Sequence, residues 1–334
     1  MNGVNDGSVP LVEVWRGAFL ESVHRGHAVI CDEFGQIVDS WGNPDAVILP
    51  RSSCKMIQAL PLVESGAARK YGLGSEHLAL ACASHEGAAI HTERVTRWLH
   101  DLGKDVQALR CGPQMPADRE AKKALICGGH DPDDRFNNCS GKHCGFVTLA
   151  DHLDADGDYN EASHPVQVAI RQAFEDVTGE ASPGFAVDGC SAPNFATTML
   201  GLARAMASFA APGDGIRGEA QRDLVSAMRR HPDLIAGEGR ACTELIRAGH
   251  RRFVVKTGAD GVYTGILPDQ KLGIAIKIED GASRGSEAVI AALLARTGSV
   301  DRDHPAVRAR LNRPILTRLG AQTGELCPVE GLLS

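Results

Sequence analysis

Residues that favour β-strands sit at the two ends of this chain, and helix formers fill the middle. Near the N-terminus, residues 11–15 alternate apolar and polar, 27–31 form a short β-rich run, and 36–41 return from the turn Asp32-Glu33-Phe34-Gly35. Near the C-terminus, residues 252–256, 262–267 and 273–278 make a second meander, with 257–261 as its turn and Asp280-Gly281 closing it. Neither meander is stable alone, because a few short strands need neighbours and a covered face. The fold class expected is therefore α+β: an antiparallel sheet formed by N- and C-terminal strands, with a helical middle region packed on it. Helical spacing predicts helices over 56–67, 91–102, 165–178, 196–209, 218–230 and 287–295. No repeat, low-complexity tract or long linker interrupts the chain. Residues 1–334 are read as a single domain whose first 8–10 residues form a flexible tail.

Composition narrows the function. Hydrophobic residues are 43% of the 334, charged residues 23% and aromatics 4%, which describes a soluble protein with a substantial core. A net charge of −7, with basic residues dispersed in pairs such as Arg229-Arg230, argues against nucleic acid or an anionic membrane as partner. The first eight residues have no basic start or apolar core, and the apolar run 288–295 is too short to span a bilayer, so a cytoplasmic protein is expected. Its ten cysteines are then reduced thiols. The acidic stretch 154–158 has Pro165 where a calcium loop needs its twelfth-position Glu, and is read as a solvated loop.

Four polar, glycine-bearing stretches carry the chemistry. In Pro50-Arg51-Ser52-Ser53-Cys54-Lys55, a helix opening at Ser52 places Lys55 one turn on, within reach of the hydroxyl. An amine beside a serine activates a hydroxyl otherwise too weakly acidic to attack at neutral pH. The competing reading is a helix N-cap. Ser53 lies on another face and is the poorer candidate. Ser84-His85-Glu86-Gly87 follows an apolar run and is open to the same two readings. Cys139 and Cys144, with His143 between them, and Cys190 in Asp188-Gly189-Cys190 place thiols in glycine-flanked polar loops, which resembles a zinc site although no C-x-x-C is present; free thiols in functional loops are the competing reading. Lys256-Thr257-Gly258 ends a strand. Together with S-x-x-K it makes the pattern of penicillin-recognising serine enzymes, without their S-D-N element. A second cation near a lysine, here Lys256 or Arg51, favours the neutral amine that a base requires.

These stretches, taken in order, resemble the L-asparaginase II family of the rhizobial type, related in fold to serine β-lactamases and glutaminases. The resemblance runs from Arg16-Gly17, Glu21-Ser22, His24 and Gly26 through Arg51-Ser52-x-x-Lys55, Ser84-His85-Glu86-Gly87, Cys111-Gly112 and Asn138-Cys139-Ser140-Gly141-Lys142-His143. It continues through Asp188-Gly189-Cys190-x-x-Pro193 and Lys256-x-Gly258-Ala259-x-Gly261 to Lys277-x-x-Asp280-Gly281. It implies hydrolysis of L-asparagine to L-aspartate and ammonia by a homodimer, with serine–lysine pairs Ser52–Lys55 and Ser84–Lys256. It also implies Zn2+ held by Cys139, Lys142 and Cys190, with Asp188, His143 and Arg51 binding substrate or standing behind the metal. Gln114 occupies a position where the family usually has His, and Ser53 and Cys54 match no fixed position. Two alternatives stay open: a β-lactam-hydrolysing enzyme, and a non-enzymatic thiol-rich zinc or redox protein.

Overall fold

The structure is a computed structural model that describes residues 7–333. Its strands are β1 (Val9–Arg16), β2 (Phe19–Cys31), β3 (Ile37–Trp41), β4 (Val47–Ile48), β5 (Phe185–Val187), β6 (Pro193–Phe195), β7 (Thr197–Thr198), β8 (Val254–Gly258), β9 (Val262–Leu267), β10 (Leu272–Ile278), β11 (Arg313–Leu316) and β12 (Gln322–Pro328). Of the tail expected at the N-terminus, residues 1–6 fall outside the described residues, and β1 begins at Val9. The described residues divide into two compact units. One holds the residues up to Ser53, Thr197–Ala211 and those from Glu244 on; the other holds Cys54–Ala196 and Pro212–Thr243.

The first unit is built on an antiparallel sheet of order β11-β12-β1-β2-β10-β9-β8, with β3 also paired to β2. The two meanders join as the sequence predicts: Ala28 of β2 faces Ile276 of β10. The chain is thus α+β, with N- and C-terminal strands in one sheet. The hairpin β11–β12 was not expected from the sequence. β11 is short, mostly exposed and carries Pro314, and β12 mixes polar residues with Gly324, so neither shows an alternation of apolar and polar residues. β9 is buried at all six positions, Tyr263 and Thr264 included, so its residues show no alternation of apolar and polar. Helix Met199–Ala210 packs on β10 so closely that a Cβ on Gly273 would lie 2.1 Å from the Ala207 nitrogen and 2.3 Å from the Ala203 oxygen. Only glycine fits there.

Helices dominate the second unit. Ala89–Asp101, Pro165–Thr178 and Ile216–Arg230 fall where spacing predicts them. Residues 56–67 do not form one helix. They break into Lys55–Gln58, Leu60–Glu64 and the start of Ala67–Lys70. Pro61 tolerates only a first-turn position, and Gly66 takes φ +85, so each starts a new segment. Helix Ser140–His152, unpredicted because it lacks an amphipathic stripe, is buried from Ser140 to Ala150 and forms the axis of this unit. Trp98 from helix Ala89–Asp101 is buried against it and donates its Nε1–H to Thr148 Oγ1 at 3.0 Å.

Replacing Gly273 by alanine is expected to cost about 3 kcal/mol, the upper end for overpacking against backbone. A urea midpoint equal to that of the parent protein would refute the close helix–strand approach.

Candidate active site

In the first unit, Ser52 lies on the 3₁₀ turn Arg51–Cys54, immediately after Pro50. Arg51 is in the left-handed region, φ +52, a conformation that costs a non-glycine residue about 1–2 kcal/mol and that clusters at functional sites. Its Nη1 stands 3.9 Å from Asp260 Oδ2. The turn packs on the strand that carries Lys256. Thr264 Oγ1 donates to Ser53 O at 3.0 Å and lies 3.3 Å from Lys256 O. A Cβ on Gly258 would come within 2.7 Å of Pro50 O and 2.8 Å of Ser53 N, so the glycine of Lys256-Thr257-Gly258 is what lets strand and turn touch. Lys256 is 1% exposed and its Nζ donates to Thr257 O at 2.7 Å. Ser53 is buried with its hydroxyl donated to Pro50 O at 2.7 Å, which removes it as a nucleophile candidate.

In the second unit the organising group is Lys55. It is 1% exposed, and its Nζ donates to the carbonyls of Ala83 and, at 3.4 Å, Asn138. Those carbonyls immediately precede Ser84 and Cys139, so one side chain ties three of the sequence stretches together. The His85 amide also donates to Asn138 O, at 3.2 Å. Two carbonyl acceptors use two N–H bonds of an amine. A neutral Lys55 would keep its lone pair free, the condition for acting as a base.

The capping reading fails for both serines. The helix after Ser52 has Cys54 at its cap position with no side-chain hydrogen bond, and the helix after Ser84 is preceded by Ala88. Ser84 is half-buried, its amide bonded to Ile235 O at 2.8 Å.

Cys139, Lys142 and Cys190 also meet in this unit. Lys142 Nζ lies 3.0 Å from Cys190 Sγ, and both side chains are buried. Cys190 is held well below the ordinary thiol value, first by the hydrogen bond from Cys139 and then by Lys142. Cys139 is pushed up to about 12 by the same bond and by burial. Burial opposes a charge on Lys142, but Cys190, Cys139 and Asp188 together hold it protonated. Asp188 opens a tight turn whose Ser191 has φ +68. Among the described residues, no group of three or more His, Cys, Asp or Glu side chains could hold a metal ion. Two thiols and one amine nonetheless converge with their charges balanced by shared protons, and a cation that displaced those protons would meet three donors. The residues fit the group.

Other features became visible only in three dimensions. Gln114, in place of the family's usual His, accepts the Asn138 amide at 3.3 Å. Asn137 accepts the Cys139 amide and donates to the carbonyls of Cys111 and Gly112, each at 2.9 Å, which gives Cys111-Gly112 a supporting part. His85 Nδ1 accepts the Gly87 amide, so its Nε2–H donates to Ser140 Oγ at 2.9 Å. His85 stacks on His91 with ring centres 4.7 Å apart.

The stacked pair gives a pH dependence. Burial first, and then the neighbouring His91 and Lys55, hold His85 well below the usual imidazole value; burial lowers His91. In the unfolded chain both protonate near pH 6.5, while the folded state resists. Their stabilisation is therefore complete above about pH 6.5 and is lost as pH falls below it, by up to about 1.4 kcal/mol per pH unit for each histidine. The urea midpoint should fall between pH 7 and pH 5, with a shallower slope in His91→Gln. An unchanged slope in that variant would remove His91 from the account.

A family model of L-asparaginase II matches residues 12–328. No curated protein matches the chain. Among solved structures, the chain is similar to Mglu in its glutamate form, at 15% identity and TM-score 0.47, covering 83% of this chain and 62% of that one. It is also similar to a putative beta-lactamase from Bacteroides dorei (11% identity, TM-score 0.42, 83% and 86% covered) and to a beta-lactamase from Mycobacterium bovis (12%, 0.40, 79% and 93%). The chain therefore spans under two thirds of the length of Mglu in its glutamate form. No helix among the described residues is long and apolar enough to cross a membrane. The family match, covering nearly the whole sequence, identifies this chain as a member of the L-asparaginase II family.

Proposed function

We propose that the chain is a single catalytic domain that hydrolyses L-asparagine to L-aspartate and ammonia, as a cytoplasmic homodimer. The observation that carries the reading is the buried Lys55 amine, anchored on the carbonyls next to Ser84 and Cys139 and three residues from Ser52. The roles assigned are those of two serine–lysine pairs, Ser52 with Lys55 and Ser84 with Lys256. The Ser52 hydroxyl attacks the side-chain amide carbon and passes its proton to a neutral lysine amine. The leaving nitrogen takes that proton and departs as ammonia, leaving an ester on serine. Water then attacks the ester, a lysine amine accepts its proton, and aspartate is released as serine regains its hydrogen. Ser84 and Lys256 relay or hold protons in both halves. Arg51, beside the serine, is the cation for a substrate carboxylate, and Asp188 and His143 supply polar contacts.

Cys139, Lys142 and Cys190 would hold Zn2+, which when bound supplies a Lewis acid able to polarise a carbonyl. The chain's own contribution there is to keep two sulfurs and one nitrogen gathered and dry.

Ammonia release at saturating asparagine should fall by at least about 10³-fold in Ser52→Ala. Full activity in that variant would end its nucleophilic role and move the assignment to Ser84, whose alanine variant is assayed alongside. A chromogenic β-lactam run with the same preparation separates amide hydrolysis from the S-x-x-K and K-T-G alternative; turnover of the β-lactam alone would reverse the substrate assignment. Elemental analysis should find zinc in the parent protein and less in Cys190→Ala. Equal zinc in both would strike Cys190 from the ligand set.

A further inference from the structure

Tyr159 belongs to none of the sequence motifs, yet it is 4% exposed and its hydroxyl meets His143. The Arg110 amide donates to Tyr159 Oη at 2.6 Å, and Tyr159 Oη lies 3.0 Å from His143 Nδ1. The tyrosine is held in place around this contact. Gln167 Nε2 donates to its carbonyl at 2.8 Å, and its ring meets those of His143 and Phe146 edge-on, at 5.5 and 5.9 Å.

The hydrogen count fixes the protons. One of the two partners of Tyr159 Oη is a backbone N–H, which can only donate. The phenolic hydrogen therefore has a single acceptor within reach, His143 Nδ1. If Nδ1 carried a hydrogen instead, two donors would face the oxygen and the phenolic O–H would be left buried without an acceptor, which folded proteins avoid. His143 accordingly carries its hydrogen on Nε2. That atom is buried and has no hydrogen-bond partner, in a residue of which none is exposed. His143 lies in the first turn of helix Ser140–His152, which is buried from Ser140 to Ala150. Neither ring nitrogen then keeps a lone pair for a metal ion.

We propose that Tyr159 is a positioning residue: its hydroxyl locks His143 as the Nε2–H tautomer, so that the imidazole presents one unpaired donor to an oxygen of the bound amino acid. The identity of that ligand rests on the function proposed above; the tautomer does not. His143 is thereby a substrate-binding group and not a metal ligand.

The test is a two-bond 1H–15N spectrum of histidine-labelled protein, in which the tautomers have different patterns, with the His143 signal assigned by its loss in His143→Gln. The parent protein should show Nε2–H at His143, and this signal should move when L-aspartate is added to saturation. Tyr159→Phe keeps the ring and removes only the hydroxyl. It should let His143 redistribute between tautomers and raise KM for asparagine about tenfold, the worth of one hydrogen bond, with kcat changed far less. A purely structural tyrosine would lower the melting temperature and leave both tautomer and KM alone, and that result would overturn the proposal. So would an Nδ1–H or doubly protonated His143 in the parent protein, or a signal unmoved by aspartate, neither of which requires the variant to fold. Absence of ammonia release would count against the proposed function alone, because the tautomer is read without turnover.

Discussion

A lysine can be buried only where polar atoms replace the water it gives up, and leaving such a group unanswered costs several kcal/mol. Lys55 is answered by backbone carbonyls, which cannot move without moving the chain. Its Nζ therefore fixes the main chain at Ala83 and Asn138, and through them the approach of Ser84 and Cys139. The Asn138 carbonyl is shared with the His85 amide, and the Asn138 amide is met by Gln114, so the peptide before Cys139 is held on both of its edges. Side chains in this unit are set in position by backbone that has itself been pinned by a side chain.

Much of this was legible in the sequence, for a physical reason. The S-x-x-K spacing, the glycines beside Cys139 and Cys190 and the strand before Lys256 are local patterns, and local patterns survive in one dimension. The strands β11 and β12 were not legible: β11 is an exposed edge strand of four residues, and β12, paired on both sides, mixes polar residues and Gly324 without an alternation. Helix Ser140–His152 was missed for the opposite reason, since it is enclosed on all sides and has no polar face to give it a period. Reading 56–67 as one helix overlooked Pro61 and Gly66, both of which are visible breakers. Tyr159 and Asn137 carry no local signal at all. Each acts on a residue or loop through hydrogen bonds whose partners the fold alone brings into range.

Several ionisable side chains buried in the second unit are paired or neutral. Cys190 and Lys142 neutralise each other, Cys139 stays a thiol, and His85 and His91 are held neutral by burial. A polar interior arranged in this way is rigid but not repulsive to an ionised guest, and its donors are already oriented before anything binds. That is the physical content of calling such a site preorganised.

Thr264 in the first unit ties the serine turn to the length of a hairpin connection. Its hydroxyl reaches Ser53 O and Lys256 O because β9 is paired to β8 with Lys256 opposite Thr264. Side chains alternate along a strand with a period of two, so a slip of one residue would present Tyr263 or Gly265 to the serine turn instead. Surface hairpins usually accept insertions freely. Here the connection between Gly258 and Val262 sets the register that seats the serine turn, so the number of residues in it is constrained more tightly than their identity.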